Sequence, residues 1–163
     1  MKKTLFSLVS VGVLVLMSVD AHALDKKKAA YLGGTLPIQL SEKEQKEGIV
    51  GLITTTDEKE FFFKAEQSDV RISIPYNKIT NVEYGQKASH RVKTAILLSP
   101  VALFMKKRRH YLNFFFKDAE GKDQAAAIEV GSEILRNTVM VLEVRTGKKI
   151  TYQDEESQKS FGK

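Results

Sequence analysis

The middle of the chain consists of short apolar stretches separated by turn residues. Val70, Ile72 and Ile74 alternate with Arg71 and Ser73, so one face of this stretch is buried and the other faces solvent. Further short stretches rich in apolar residues lie at 48–55, 60–66, 79–84, 110–118 and 124–130. Short strands that recur about every 8–12 residues are typical of antiparallel sheets. The pattern therefore predicts a small antiparallel barrel or a strongly bent sheet.

A helical period replaces the strand pattern near the C-terminus. The apolar side chains expected on its buried face are Ile134, Leu135, Val139 and Leu142. Ser132 offers an N-cap and Gly147 a C-cap, which predicts a helix over residues 132–146 that packs on the sheet. Its expected partners on the sheet are Ile72, Ile74, Val82, Phe62, Phe115 and Ile128.

These elements define the predicted fold class and its boundaries. The class is α+β and mainly antiparallel β, with a barrel or bent sheet closed by the C-terminal amphipathic helix. A helical insertion is expected around residues 88–105. Residues 24–47 form an N-terminal segment of mixed character, residues 48–152 form the domain, and the polar residues 153–163 form a disordered tail.

The first 23 residues have the pattern of a secretory signal peptide. Two lysines precede an apolar run over residues 5–17, and Ala-His-Ala follows at 21–23. The run is short for a membrane span of about 20 residues, which disfavours the alternative of an N-terminal anchor. We therefore expect cleavage between Ala23 and Leu24, and export to the periplasm or secretion.

The remaining chain of 140 residues is moderately basic and has no cysteine. Without the two Lys and one Asp of the signal peptide, it has 24 Lys and Arg against 19 Asp and Glu, a formal charge of +5. A basic excess suits anionic lipid, cell-wall polymer or acidic proteins as partners. Because an exported chain without cysteine has no disulfide, packing alone must hold this fold together.

The most distinctive stretch covers residues 93–111 and reads "KTAILLSPVALFMKKRRHY". Its apolar part, residues 95–105, is too short for about 30 Å of hydrocarbon and is divided by Ser99-Pro100. One interpretation is a helical insertion that is mostly buried over the sheet. The other is a hairpin whose apolar tip enters a lipid interface while the cations meet anionic headgroups. The apolar candidates are Leu98, Val101, Leu103 and Phe104, and the anion-binding candidates are Lys106, Lys107, Arg108, Arg109 and His110.

Two sequence stretches resemble known bacterial proteins. The segment "VRISIPYNKITNVEYG" resembles the strand–turn–strand of bacterial pleckstrin-homology-like (PH-like) and GRAM-like domains. The residues "YGQK…RV…AI..SP.ALF.KKRRHYL" resemble an uncharacterised family of exported bacterial proteins. The resemblance covers about residues 31–154 and implies a small barrel plugged by a helix. PH-like domains bind phosphoinositides or peptides, but residues 54–59, "TTTDEK", lack the basic signature that phosphoinositide binding needs.

No stretch of the sequence carries a recognisable catalytic motif. After the signal peptide the only histidines are His90 and His110, and neither has a second ligand at zinc-binding spacing. There is no nucleophile motif and no phosphate-binding glycine loop. We therefore expect no enzyme activity and no cofactor, metal or nucleic acid. Two hypotheses remain: a PH-like envelope protein that contacts anionic membrane or cell-wall surface through residues 93–110, or a module that binds a protein or peptide and has no membrane role.

The membrane hypothesis predicts the effect of removing the four consecutive cations. Replacing Lys106, Lys107, Arg108 and Arg109 by Gln should abolish salt-sensitive binding to anionic vesicles, because each cation near such a surface contributes about 1 kcal/mol. Flotation with vesicles at low and high salt measures the binding, and circular dichroism checks the fold. Unchanged binding by the variant, or no binding by the unmodified chain, would contradict the hypothesis.

Overall fold

A computed structural model describes residues 27–86 and 110–161, which form a mostly antiparallel eight-stranded sheet and three helices. The strands are β1 Lys27–Gly34, β2 Ile49–Thr54, β3 Glu60–Ala65, β4 Arg71–Pro75, β5 Ile79–Gly85, β6 His110–Lys117, β7 Asp123–Val130 and β8 Thr151–Tyr152. The helices are α1 Glu42–Glu47, α2 Ser132–Thr146 and α3 Glu155–Phe161, and a 3-10 turn covers Tyr76–Lys78. The insertion predicted around residues 88–105 lies outside the described residues.

The strand order is β4-β3-β2-β1-β7-β6-β5-β8, with every pair antiparallel except β5 and β8. β1 lies between β2 and β7, so the segment predicted to precede the domain supplies a central strand. Among the described residues no ladder joins β4 to β5, and the sheet is not closed into a barrel. The α+β class and the mainly antiparallel sheet are confirmed.

The sheet bends back on itself so that distant strands meet. The rings of Phe61 on β3 and Phe114 on β6 are 4.6 Å apart between centroids. Four strand spacings separate β3 from β6 in the sheet, which is about 19 Å in a flat sheet. The observed contact is therefore possible only because the sheet curls around its inner face, as the bent-sheet alternative predicted.

The inner face holds the core, and its register differs in part from the prediction. Of the expected sheet residues, Ile72, Ile74, Val82 and Ile128 are buried in the same core cluster as the helix residues. Phe62 and Phe115 were predicted to point inward, and this was wrong. Both are only partly buried, whereas the core contains their neighbours Phe61, Phe63, Phe114 and Phe116. A run of three Phe residues fits either face of a strand, so strand periodicity alone does not decide which of them is buried.

Helix α2 begins and ends where the sequence predicted. Leu135, Val139 and Leu142 are buried as expected, together with Thr138, whose hydroxyl donates to the Ile134 carbonyl at 2.8 Å. Ile134 was predicted to be buried, but it lies at the margin and is only partly covered.

The predicted cap is present at the C-terminal end of α2 but not at its N-terminal end. Gly147 ends the helix in the left-handed conformation, with φ 67°, which a glycine adopts without strain. The predicted Ser132 cap is wrong, because Gly131 takes the N-cap position and no side chain caps the helix.

The tail predicted to be disordered contains α3. Phe161 packs edge-on against Tyr84 and Tyr152, with ring centroids 5.4 and 5.9 Å away. The side chain of Asp154 accepts from the backbone N–H of Ser157 at the start of the helix, at 2.7 Å. This single aromatic anchor and one cap explain why a polar segment is ordered here. Within residues 27–86 and 110–161 no helix is long and apolar enough to cross a membrane.

Truncating the centre of the helix face should destabilise the fold. Leu142 is fully buried, so Leu142→Ala is expected to lower the free energy of unfolding by about 2–5 kcal/mol. Met140→Ala is the matched control, because Met140 is 59 % exposed on the same helix and its truncation should change stability by no more than about 0.5 kcal/mol. Urea denaturation measures both, and equal effects would refute the docking of α2.

Candidate functional site

Only one of the residues predicted to bind an anionic surface lies in the described part of the chain. His110 is the first residue of β6. The other predicted residues lie outside the described ranges: Lys106, Lys107, Arg108, Arg109, Leu98, Val101, Leu103 and Phe104. For these residues the role in binding remains a prediction.

His110 belongs to a hydrogen-bonded cluster between β5, β6 and α3. Its Nδ1 lies 2.7 Å from the hydroxyl of Tyr84, and the two rings stack with centroids 5.9 Å apart. The Tyr84 hydroxyl also lies 3.2 Å from the hydroxyl of Ser160, which donates to the Ser157 carbonyl at 2.8 Å. The cluster therefore fastens α3 to the sheet next to the end of β5.

The surroundings of His110 favour its neutral form. Partial burial lowers the pKa of His110, and the nearby carboxylate of Glu129 opposes this shift without reversing it. Burial also raises the pKa of Tyr84, which keeps its hydroxyl protonated at neutral pH. Either Nδ1 or the Tyr84 hydroxyl can donate in the hydrogen bond between them, according to the tautomer of the imidazole.

The second candidate is the outer edge of β4, where backbone groups are free to pair. Tyr76 donates its N–H to the Lys59 carbonyl, and Ala65 donates to the Val70 carbonyl, both at 2.9 Å. In an antiparallel ladder every second pair of opposite residues is joined by backbone hydrogen bonds. These two bonds therefore show which residues of β4 bond to β3 and which do not. The backbone groups of Ile72 and Ile74 therefore point to β3.

By the same alternation, the backbone N–H and carbonyl groups of Arg71, Ser73 and Pro75 point away from β3, except that proline has no N–H. Among the described residues no strand pairs with this edge. It offers the N–H and carbonyl of Arg71 and of Ser73 and the carbonyl of Pro75, since proline has no N–H. The edge is thus open but short, and the proline ends its row of donors.

Two like charges face each other beside this edge. Lys64 on β3 is directly opposite Arg71 on β4, in the pair class that brings side chains closest. Both are exposed, and neither has an ion-pair partner among the described residues. Like charges directly opposite on adjacent strands are destabilising. An anionic group bound between them would turn this repulsion into attraction.

The sequence showed which side chains of β4 face solvent but not that β4 is an edge. The alternation around Ile72 places Arg71 and Ser73 outside the core whatever strand lies next to them. Edge position depends instead on the order of strands that are distant in sequence. No local pattern carries this information.

No protein-family model matches this chain, and a search of curated proteins finds no match. Across residues 27–86 and 110–161 no three His, Cys, Asp or Glu side chains come together as metal ligands would.

The His110 cluster predicts how stability depends on pH. Because the pKa of His110 is lower in the folded chain than its unfolded value of about 6.5, folding is favoured above that pH and stability is lost as the pH falls through this window. The carboxyls with lowered pKa, such as Glu143, lose their contribution only below about pH 4.5. Chemical denaturation at pH 7.5 and 5.5 should show a smaller loss for His110→Gln than for the unmodified chain. Equal losses would contradict the assignment.

Proposed function

We propose that the architecture is PH-like. Several antiparallel strands followed by one amphipathic helix is the element order of that fold. The seven strands β1 to β7 followed by α2 fit this order, although α1 stands between β1 and β2 and β4 does not pair with β5. The inward curl of the sheet and the packing of α2 on its core also support the assignment. We further propose that the chain is exported to the cell envelope, an inference supported by the signal-peptide pattern of residues 1–23.

Within this architecture we propose a non-enzymatic module that binds an extended acidic segment of a partner protein along β4. The observation that carries the proposal is the β4 edge, which no strand within residues 27–86 and 110–161 covers, beside Lys64 and Arg71, which have no ion pair within those ranges. Adding a strand to a sheet edge is a recurrent mode of peptide recognition, in which main-chain hydrogen bonds supply affinity and side chains supply specificity.

The charges define which peptide fits. An added strand places one residue opposite Arg71, on the outer face that Arg71 shares with Lys64. An Asp or Glu at this position faces both cations and offsets part of their mutual repulsion. Two positions away the side chain lies beside the small Ser73 and the partly buried Phe62. The expected ligand is therefore an extended segment that alternates acidic and apolar side chains on one face.

Contact with an anionic membrane or cell-wall surface through residues 93–110 remains the second candidate. It rests on the four consecutive cations of the sequence, 106–109, next to an apolar stretch. The two functions use different residues, so the vesicle experiment described above and the peptide experiment below test them separately.

The edge proposal predicts what a random linear peptide library will yield. Peptides selected on the mature chain should be enriched in Asp and Glu. The double change Lys64→Glu and Arg71→Glu should weaken their binding about tenfold or more, because like charges then face each other. The matched control, Lys122→Glu with Lys148→Glu, makes the same change in net charge at residues outside β3 and β4 and should leave the affinity unchanged. Fluorescence anisotropy with labelled peptides measures both.

Proline substitutions in β4 test the backbone part of the same proposal. Ser73→Pro removes an N–H that points to the free edge, so the fold should survive while peptide binding is lost. Ile72→Pro removes an N–H that pairs with β3 and should instead destabilise the fold. Binding that survives both Ser73→Pro and the double charge reversal would contradict the β4 edge as the site.

A further inference from the structure

Helix α2 presents an apolar stripe to solvent on the side opposite the core. Met140 is 59 % exposed and Val144 is 80 % exposed, and they are two of the three large hydrophobic side chains that are exposed among the described residues. They are four residues apart, so they are neighbours on the helix surface. Neither belongs to the core cluster, so the stripe does not serve the packing of α2 on the sheet.

The stripe has the spacing of a contact between two helices. Glu133, Asn137, Met140 and Val144 follow one another at intervals of four, three and four residues. These are the intervals at which the contact residues of paired helices recur, and a single Asn among them fixes the register of such a pair. One side of the stripe is bordered by two apolar residues that are only partly covered, Ile134 and Val141.

Charges of opposite sign lie at the two ends of the stripe. Glu133 is exposed in the first turn of α2, and Lys148 is exposed directly after Gly147, which ends the helix. Neither has an ion pair within residues 27–86 and 110–161. Glu133 precedes Met140 by seven residues, and Lys148 follows it by eight. The stripe is therefore acidic at one end, apolar in the middle and basic at the other end.

This order of charges is complementary to itself in one arrangement. When two copies of α2 pack antiparallel about a two-fold axis near Met140, Glu133 of each copy lies beside Lys148 of the other. Parallel packing would instead bring like charges together. Antiparallel packing also places opposite ends of the two helix dipoles next to each other. A partner of uniform charge, such as an anionic membrane, would match one end of the stripe and repel the other.

We propose that the chain forms a homodimer in which two α2 helices pack antiparallel through this stripe. Met140 and Val144 of both copies form the apolar centre, and two Glu133–Lys148 pairs close its ends. The 15 residues of α2 make a contact about 22 Å long and about 10 Å wide, which is smaller than the interface of about 800 Å² per partner in a standard complex. The dimer is therefore weak, and the dilute chain is monomeric.

The dimer contact is separate from the β4 edge. The stripe shares no residue with that edge, so self-association and peptide binding are independent properties.

Sedimentation equilibrium of residues 24–163 between about 10 µM and 1 mM tests the proposal. The average mass should rise with concentration from one copy toward two and not beyond, because a two-fold contact closes on itself. Met140→Ser combined with Val144→Ser should weaken the association about tenfold or more, because the apolar area it buries is lost. Both positions are exposed, so circular dichroism should show an unchanged fold.

Val50→Ser is the matched control for the apolar variant. It removes the third exposed large hydrophobic side chain, which lies on β2, and should leave the association unchanged. The proposal is overturned if the mass stays at one copy up to 1 mM. It is also overturned if the α2 variant associates as strongly as the unmodified chain.

Exchanging the end charges tests the antiparallel orientation. Glu133→Lys alone and Lys148→Glu alone should each weaken the dimer several-fold, because like charges then meet at both ends of the contact. The double variant restores opposite charges at both ends and should recover the affinity of the unmodified chain. If the double variant associates no better than either single variant, the antiparallel dimer is overturned.

Discussion

The contact between Phe61 and Phe114 is the constraint on which the rest of the fold depends. The two rings belong to strands four spacings apart in the sheet, and their centroids lie 4.6 Å apart. Bringing them together requires the sheet to curl, and the curl creates an enclosed inner face. Helix α2 covers this face with Leu135, Val139 and Leu142. Because the chain has no cysteine, no disulfide contributes to the fold and its stability rests on this packing.

The same curled sheet leaves β4 at one of its ends. The 3-10 turn Tyr76–Lys78 connects β4 to β5 without pairing them, so β4 is the last strand on its side of the sheet among the described residues. Pro75 removes the last donor of that edge, and the next residue, Tyr76, is buried in the core. Among the described residues, an unpaired edge beside two adjacent cations is costly to a fold alone. An acidic extended peptide bound along this edge accounts for it.

The sequence predicted the elements whose information is local. The bounds of α2 follow from its periodicity and from Gly147, and the alternation around Ile72 identifies the core side of β4. In each run of three Phe residues, the sequence did not show whether the middle residue or the two outer ones face the core. Phe61 and Phe114 are buried because of strands far away in sequence.

The other features that the sequence did not predict also depend on contacts between residues far apart in the chain. Helix α3 depends on tertiary contacts that a polar segment does not reveal, among them the packing of Phe161 on Tyr84 and the hydrogen bond between Tyr84 and Ser160. The position of β4 at an edge depends on strand order. Of the predicted binding residues only His110 lies in the described part of the chain, where it contacts Tyr84. A single sequence shows which side chains are polar, but not which of them the fold leaves without a partner.

Amide hydrogen exchange along β4 tests the central claim, that a curled sheet leaves this strand as an open edge. The ladder parity predicts alternation: the amides of Ile72 and Ile74 donate to β3 and should exchange slowly, whereas those of Arg71 and Ser73 face the free edge and should exchange fast. Residue-resolved exchange measured by NMR on residues 24–163 without ligand gives the pattern directly. Slow exchange at all four amides would mean that another strand already pairs with this edge, and it would contradict the account.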